Sequence, residues 1–209
     1  MTNLAQATVV GQIPRDTQAK LVEQVRDVLR RSPLVRPRTP NGMPMRVQVS
    51  AAGDLGWVGD GEYRYDRLDL RGKPWPPMPE LWRELADTYA GPHSWDSAIV
   101  NWYDADASLG WHRDRSEADT TLPIVTISLG DACSWAVRLD GDQPIHRTRL
   151  ESGAVTLLAG PTRGALHTVE RLIPDPMFSP LRARGRLSIT VRVAGPKKES
   201  DKSSARSVL

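Results

Sequence analysis

Apolar residues near the beginning of the chain recur at the spacing of an amphipathic helix. From Asp16 to Ser32 they fall on one helical face, at Leu21, Val22, Val25, Val28 and Leu29. Asp16 is the predicted N-cap, and Pro33 is expected to end the helix. A second helix is predicted from Pro79 to about Tyr89, with one apolar face formed by Leu81, Trp82 and Leu85.

The pattern changes to short strands in the second half of the chain. From Ser94 onward, runs rich in isoleucine, valine and threonine are separated by glycine, proline and aspartate; they are SAIVNWY, PIVTISLG, WAVRL, AVTLLAG and RLSITVRVA. An earlier segment, MRVQV, is a further predicted strand. Strands of this kind behind a helical N-terminal part indicate an α+β protein with an antiparallel sandwich or jelly roll.

The last predicted strand, RLSITVRVA, has one polar face and one apolar face. Arg186, Ser188, Thr190 and Arg192 alternate with Leu187, Ile189, Val191 and Val193. Taken by itself, this pattern favours a strand whose arginines face water. The alternative is that the polar face lines a cavity, where two guanidinium groups could bind a small dicarboxylate in bidentate fashion.

Composition narrows the possible classes. The 209 residues are 39% hydrophobic and 25% charged, which is ordinary for one globular domain. No apolar run approaches the ~20 residues that span a bilayer, and the N-terminus does not resemble a signal peptide. We therefore expect a cytoplasmic protein with no membrane partner. Cys133 is the only cysteine, so a metal would need histidine and carboxylate ligands.

The charge of the chain is slightly basic. A net charge of +3 and a pI near 9.2 are weak evidence for nucleic-acid binding. Part of the excess lies in the tail PKKESDKSSARSVL, residues 196–209, which we expect to be disordered because it has almost no apolar content.

Two histidines and one aspartate could form a metal site. His112 and Asp114 are two residues apart, so in extended chain their side chains point to the same side. A triad of two histidines and one carboxylate is used by non-haem Fe(II) oxygenases, because it leaves positions open for a cosubstrate and oxygen. His167, after the strand AVTLLAG, is the best candidate for the second histidine, ahead of His93 and His146. An HxD pair by itself is often accidental.

Several segments of the sequence, taken together, resemble those of a known family. NWYDADASLGWHRDRSE, PIVTISLG, SGAVTLLAGPTRGALHTV and RLSITVRVAG resemble the AlkB family of Fe(II)- and 2-oxoglutarate-dependent dioxygenases, in its bacterial alkylation-repair branch. DLGW and GKPWPPMP also match, so the resemblance extends from about Gly53 to Gly195. It implies one domain over residues 1–195: N-terminal helices and a substrate-binding lid over about 1–90, and a double-stranded β-helix (jelly-roll) core over about 94–195.

The resemblance also implies roles for individual residues. The ligands of Fe(II) would be His112, Asp114 and His167. The residues around 2-oxoglutarate would be Asn101, Tyr103, Arg186, Ser188 and Arg192. The substrate-binding residues would be Trp57, which stacks on a flipped-out base, with Tyr63, Tyr65 and Ser116. Arg163, four residues before His167, would have a supporting role. Basic residues of the lid could meet phosphates; they are Arg64, Arg67, Arg71 and Lys73.

The implied activity is oxidative demethylation of alkylated bases such as 1-methyladenine and 3-methylcytosine. It would consume 2-oxoglutarate and O2 and release formaldehyde, succinate and CO2. The expected partner is alkylated DNA, single-stranded or with a flipped-out base, with RNA as a further possibility, and the expected state is a monomer. Ser116 stands where the best-known bacterial members have an aspartate, and Ser188 where the family usually has asparagine, so lesion preference stays open.

Three other interpretations remain at this point. The same oxygenase chemistry could act on RNA, tRNA or a protein. The fold could be a non-catalytic nucleic-acid-binding jelly roll, although an intact triad with two arginines argues against this. A zinc hydrolase could use the same triad, but it would leave the paired arginines unexplained.

Overall fold

Three α-helices and twelve strands form the part of the chain that the computed structural model describes, residues 3–141, 143–174 and 179–196. The helices are α1 (Leu4–Ala7), α2 (Arg15–Arg31) and α3 (Glu80–Ala90). Apart from residue 196, the predicted disordered tail lies outside the described residues. No helix within these ranges is both long enough and apolar enough to span a membrane.

All strand pairs of the fold are antiparallel, and most strands belong to two sheets. The strands before α3 are β1 (Val9–Gln12), β2 (Gln48–Gly53), β3 (Gly56–Gly59) and β4 (Tyr63–Asp66). Those after it are β5 (Ser97–Tyr103), β6 (Leu109–His112), β7 (Ile124–Gly130), β8 (Ala132–Arg138), β9 (His146–Leu150), β10 (Ala154–Leu158), β11 (Leu166–Ile173) and β12 (Arg186–Arg192). The six-stranded sheet has the order β1-β10-β7-β12-β5-β2, and the four-stranded sheet has the order β6-β11-β8-β9.

Two hydrophobic clusters hold these layers together. In the first, apolar residues of α2 and α3, such as Leu21, Val25 and Trp82, pack against one face of the six-stranded sheet. In the second, side chains such as Val49, Trp135 and Val169 pack between the two sheets. The predicted α+β protein with a jelly-roll core is therefore confirmed. Burying both faces of the larger sheet explains why its central strands are rich in apolar residues.

The position of β12 decides the question left open by its alternating pattern. All seven residues of the strand are buried. Leu187, Ile189 and Val191 face the helix-side cluster, whereas Arg186 and Arg192 line a pocket between the sheets. The water-facing arrangement that the pattern favoured by itself is wrong, because a strand at the centre of a layered fold has no solvent face.

Several element boundaries differ from the predictions. Helix α2 begins at Arg15 with Pro14 as its N-cap, so Asp16 is a first-turn residue and not the cap. It still lies where a carboxylate favours the helix dipole. Strand β2 begins at Gln48 and not at Met45. Strand β9 is not among the predicted strands, because it lies at the edge of the smaller sheet and only Leu150 of its residues is fully buried.

The N-terminal part of the chain contributes to the jelly roll as well as covering it. Strands β1 and β2 form the two edges of the six-stranded sheet, so the division drawn at about residue 90 does not separate two structural layers. The hairpin of β3 and β4 pairs only with itself among the described strands. Its residues Trp57, Tyr63 and Tyr65 line the pocket; a role of this hairpin as a substrate-binding lid stays a prediction.

Candidate metal centre and binding pocket

One pocket of about 200 Å³ is lined by the site residues that the sequence predicts. It lies between the two sheets, under the β3–β4 hairpin. Its walls include all twelve predicted site residues: Trp57, Tyr63, Tyr65, Asn101, Tyr103, His112, Asp114, Ser116, His167, Arg186, Ser188 and Arg192. His93 and His146 do not line it.

The pairing of β6 with β11 brings the two central histidines together. His112 and His167 are direct register partners on these antiparallel strands, so their side chains lie on the same face. Their ring centroids are 4.2 Å apart. Asp114 follows β6, and one ligand atom from each of the three residues lies within 4.8 Å of the others. The predicted triad is thus assembled from two strands far apart in sequence.

Backbone carbonyls set the orientation of both imidazoles. Nδ1 of His112 lies 2.8 Å from the carbonyl oxygen of Gly110, and Nδ1 of His167 lies 3.1 Å from that of Ala165. A carbonyl only accepts, so each Nδ1 carries the proton and each Nε2 keeps its lone pair. This arrangement is typical of metal-ligating histidines. Two imidazoles that present Nε2 to the same point, with one carboxylate, therefore form a donor set that fits Fe(II).

Local electrostatics keep Asp114 and His167 in the protonation states that a metal requires. Burial raises the pKa of Asp114, but the charge of Arg192, with smaller contributions from the neighbouring His167, His112 and Arg163, outweighs it and holds the pKa well below its ordinary value. Burial, together with the neighbouring His112, lowers the pKa of His167 to about 4. At neutral pH the site therefore offers an ionised carboxylate and a neutral imidazole.

A buried cluster of two carboxylates and two arginines supports Asp114. Nη1 of Arg192 lies 2.5 Å from Oε1 of Glu117 and 3.5 Å from Oδ2 of Asp114. Arg163 donates to Oε2 of Glu117 at 3.1 Å, to the Asp114 carbonyl at 2.9 Å and to the Leu122 carbonyl at 2.6 Å. The two positive charges balance the two negative ones. Arg163 therefore fixes the loop that carries Asp114, in agreement with its expected supporting role.

The opposite end of β12 offers unused hydrogen-bond donors. Arg186 is 2% exposed, and its guanidinium lies 5.1 Å from the centroid of the Tyr103 ring. Its Nη2 donates to the Ser128 hydroxyl at 2.8 Å. Nε and Nη1 have no partner among the described residues. A buried guanidinium with unpaired donors fits a carboxylate of 2-oxoglutarate, whose oxygens would accept the hydrogen bonds that the protein leaves unmade.

The remaining predicted cosubstrate residues lie between the two arginines. Asn101 and Ser188 are register partners on β5 and β12, and the Asn101 amide donates to the Ser188 hydroxyl at 3.3 Å. Because Arg192 lies beside Asp114 and Arg186 lies at the far end of the strand, the two arginines are not equivalent. Arg192 is paired with two carboxylates and leaves Nε without a partner among the described residues, whereas Arg186 has no carboxylate partner there and leaves both Nε and Nη1 unpaired.

The hairpin residues face the pocket from above. Trp57 on β3 pairs in register with Tyr65 on β4, and its ring centroid lies 5.1 Å from that of Tyr63. The Tyr65 hydroxyl donates to Oε1 of Glu117 at 3.0 Å. Ser116 is exposed at the pocket wall. The hairpin is thus connected to the arginine–carboxylate cluster by the hydrogen bond from Tyr65.

Glu117 is a buried carboxylate of the pocket wall that the sequence did not single out. Its side chain is 1% exposed, and it contacts Tyr65, Arg163 and Arg192. It directly follows Ser116, so the pocket keeps a carboxylate next to the position where the aspartate is missing. The only sequence signal was an acidic residue three positions after Asp114, which by itself does not distinguish a buried carboxylate from a solvated one.

Comparisons with known proteins show the family to which the chain belongs. The model of the 2OG-Fe(II) oxygenase superfamily matches residues 7–192. The chain is 39% identical over 191 residues to an alpha-ketoglutarate-dependent dioxygenase AlkB homolog of Caulobacter vibrioides, covering 88% of this chain and 85% of the relative. It is 33% identical over 201 residues to the alpha-ketoglutarate-dependent dioxygenase AlkB of Escherichia coli, covering 92% of each chain. Among solved structures, OsALKBH1 has the same fold, with a TM-score of 0.76, 24% identity and coverage of 88% of this chain and 95% of that one.

Proposed function

Because this chain belongs to the 2OG-Fe(II) oxygenase superfamily and, within it, to the AlkB family, we propose that it repairs alkylated nucleic-acid bases by oxidative demethylation. The observation that carries the proposal is the combination, in one pocket, of the His112–Asp114–His167 cluster and the unsatisfied guanidinium of Arg186. A zinc hydrolase would have no use for the buried guanidinium.

The proposed cofactor residues divide along the pocket. His112, Asp114 and His167 would hold Fe(II), and Arg186 would bind one carboxylate of 2-oxoglutarate while Arg192 orients the end near the metal. When bound, Fe(II), 2-oxoglutarate and O2 supply the oxidation that converts an N-methyl group to formaldehyde, with succinate and CO2 as the other products. The protein contributes orientation and a buried, preorganised set of charges.

The hairpin would receive the base. An enzyme that acts on a base must extrude it or take a single strand, and extrusion costs least when the base is unpaired or damaged. Trp57 would supply a stacking face, and Tyr63 and Tyr65 would close the pocket from the solvent side. We therefore propose single-stranded DNA, or a flipped-out base, as the preferred substrate. The monomeric state and the cytoplasmic location stay predictions, as does the single catalytic domain over residues 1–195.

The test is Fe(II)-dependent turnover on a panel of methylated oligonucleotides. Purified protein would be incubated with Fe(II), 2-oxoglutarate and single-stranded DNA, duplex DNA or RNA carrying 1-methyladenine or 3-methylcytosine, with formaldehyde and succinate measured together. We expect equal amounts of both products, most of all on single-stranded DNA. Faster turnover on the RNA strands would favour the alternative RNA substrate.

A pair of histidine variants controls this experiment. His112→Ala should lose succinate and formaldehyde formation, whereas His146→Ala, which removes a histidine outside the pocket, should retain both. Circular dichroism would verify that each variant is folded. Full succinate production by His112→Ala would contradict the metal site, and binding of nucleic acid without any turnover in the unaltered protein would favour a non-catalytic module.

A further inference from the structure

The wall of the pocket next to the hairpin offers neutral hydroxyl groups. The Tyr65 hydroxyl donates to Glu117, so the hairpin meets the loop that runs from Asp114 to Glu117. Ser116 lies on this loop, is exposed and lines the pocket. Tyr63 lines the pocket from the hairpin and is 39% exposed. A neutral hydroxyl can donate or accept a hydrogen bond, but it does not attract a cation as a carboxylate does.

Both carboxylates that line the pocket are already engaged by cations. Oδ2 of Asp114 lies 3.5 Å from Nη1 of Arg192, and Asp114 belongs to the metal cluster. Glu117 accepts hydrogen bonds from Tyr65, Arg163 and Arg192. Its side chain is 1% exposed, so it is closed to a ligand. Neither carboxylate is therefore free to pair with a positively charged base.

The ionised side chains of the pocket have a surplus of positive charge. Those that line it are Arg113, Asp114, Arg115, Glu117, Arg186 and Arg192. Arg113 is paired with Asp140 outside the pocket, and Arg163 is paired with Glu117. With these two partners included, five guanidinium groups stand against three carboxylates, which leaves two positive charges uncompensated. Bound Fe(II) and the two carboxylates of 2-oxoglutarate would cancel each other and leave this surplus unchanged.

The segment that carries the hairpin does not offset the surplus. Residues 60–73 contain four acidic side chains, Asp60, Glu62, Asp66 and Asp69, and four basic ones, Arg64, Arg67, Arg71 and Lys73. These charges sum to zero, and none of the eight side chains lines the pocket. A cationic base in the pocket would therefore meet an unfavourable electrostatic environment, whereas a neutral base would not.

We propose that this pocket selects neutral N-alkylated bases over cationic ones. Neutral bases of this kind carry a carbonyl oxygen next to the alkylated nitrogen, as in 3-methyluracil, 3-methylthymine and 1-methylguanine. That oxygen accepts a hydrogen bond from the Ser116 hydroxyl or from the exposed guanidinium of Arg115. The amino group of 1-methyladenine or 3-methylcytosine needs an acceptor in the same place. This inference rests on the proposed function and names its substrate class.

Trp57 does not by itself distinguish the two classes. Its ring can stack on any base, because every base has a π-face. A cationic base gains an additional attraction to the ring, but this is one favourable contact against two uncompensated positive charges. The charge of the pocket therefore decides the preference.

The first test measures binding without turnover. Protein loaded with Fe(II) and 2-oxoglutarate would be kept free of O2, and fluorescence anisotropy would follow labelled strands of five nucleotides. The central base is 3-methylcytosine in one strand and 3-methyluracil in the other, so the two differ in charge and in one exocyclic group. The 3-methyluracil strand should bind about two- to fivefold more tightly, the range for one exposed charge interaction. Equal binding, or tighter binding of the 3-methylcytosine strand, would overturn the proposal.

Two variants of Ser116 separate charge from size. Ser116→Asp adds a carboxylate, and Ser116→Asn adds a neutral side chain of the same shape. Ser116→Asp should shift the ratio of the two affinities about fivefold toward the 3-methylcytosine strand, whereas Ser116→Asn should leave the ratio within about twofold. The ratio is compared because the charge difference between the strands acts alike on the remaining surface of all three proteins. An equal shift in both variants, or no shift in Ser116→Asp, would overturn the role of charge.

Turnover assays distinguish failure of this selection from failure of the proposed function. Formaldehyde release from the same two strands would be measured in the presence of O2. The ratio of kcat/KM values should shift toward the 3-methylcytosine strand in Ser116→Asp, and an unchanged ratio would contradict the selection. No turnover of either strand by the unaltered protein would refute the demethylase function, while the anaerobic affinities would still decide which class of base the pocket prefers.

Discussion

Replacing Glu117 by glutamine tests whether the buried charge cluster supports the fold as well as the site. The carboxylate accepts hydrogen bonds from Tyr65, Arg163 and Arg192, and its side chain is 1% exposed. With Asp114, it balances the charges of the two arginines. Glu117→Gln preserves the volume and one acceptor oxygen but leaves an uncompensated positive charge in the interior.

The expected loss of stability depends on which partners Arg163 and Arg192 retain in the variant. Removing one partner of a buried ion pair costs about 3–5 kcal/mol of stability. Arg192 retains Asp114 at 3.5 Å, and Arg163 retains the Leu122 and Asp114 carbonyls. The loss should therefore be at the lower end, about 3 kcal/mol. This is a large part of the 5–15 kcal/mol that is roughly typical of folded proteins.

Urea unfolding of the metal-free protein measures this loss. The control is Glu84→Gln, at an exposed position of α3, which should stay within about 0.5 kcal/mol of the unaltered protein. A Glu117→Gln variant that unfolds at the same urea concentration as the control would refute the reasoning. It would mean that water or rearranged side chains compensate the two arginines.

The difference in stability between the unaltered protein and Glu117→Gln should depend on pH. Burial raises the pKa of Glu117, but Arg192 outweighs it and lowers the pKa below its ordinary value of 4.5. A carboxylate whose pKa is depressed in the folded state stabilises the fold above the unfolded pKa and loses that contribution as the pH falls through the folded one. The stability difference between the unaltered protein and Glu117→Gln should therefore be full at pH 7 and shrink below pH 4.5. A difference that stays constant down to pH 3 would contradict this view.

Three further predictions concern ligand binding. Arg186→Lys keeps the charge but loses the planar set of guanidinium donors. The KM for 2-oxoglutarate, measured by succinate formation, should therefore rise about tenfold or more, which is the equivalent of one charge-assisted hydrogen bond. An unchanged KM would contradict the proposed binding of a carboxylate by Arg186. Trp57→Leu removes a stacking face, so KM for a methylated oligonucleotide should rise about fivefold or more. If only the KM for 2-oxoglutarate rose, the stacking role of Trp57 would be contradicted. Ser116→Asp should raise kcat/KM on cationic lesions such as 1-methyladenine or 3-methylcytosine, because a carboxylate favours a positively charged base; an equal or lower value would show that Glu117 already supplies the needed charge.

The sequence predicted the local parts of the site well because they depend on neighbouring residues. The two-residue spacing of His112 and Asp114 suffices to put both side chains on one side of extended chain. The period of two in β12 likewise places Arg186 and Arg192 on one face. Both features follow from backbone geometry alone, and the structure contains both.

The sequence did not predict features that depend on which strands pair and which layers cover them. The pattern of the last strand by itself favoured a polar face in contact with water, which was wrong, because alternation describes two faces and not what covers them. Strand β9 was missed because an edge strand buries few side chains and has little hydrophobic signal. Glu117 was missed because the burial of its carboxylate depends on Arg163 and Arg192, which are far away in sequence.

The sequence by itself determined the types of side chain, their periodicity and the resemblance to a family, since these need no knowledge of contacts between distant parts of the chain. Only the tertiary structure decided that His167 lies opposite His112, and that Arg192 is paired with carboxylates while Arg186 keeps both Nε and Nη1 unpaired among the described residues. The reason is physical: the burial, pairing and unmet hydrogen bonds of a side chain are properties of its neighbours in space, and antiparallel strand pairing chooses those neighbours from remote segments.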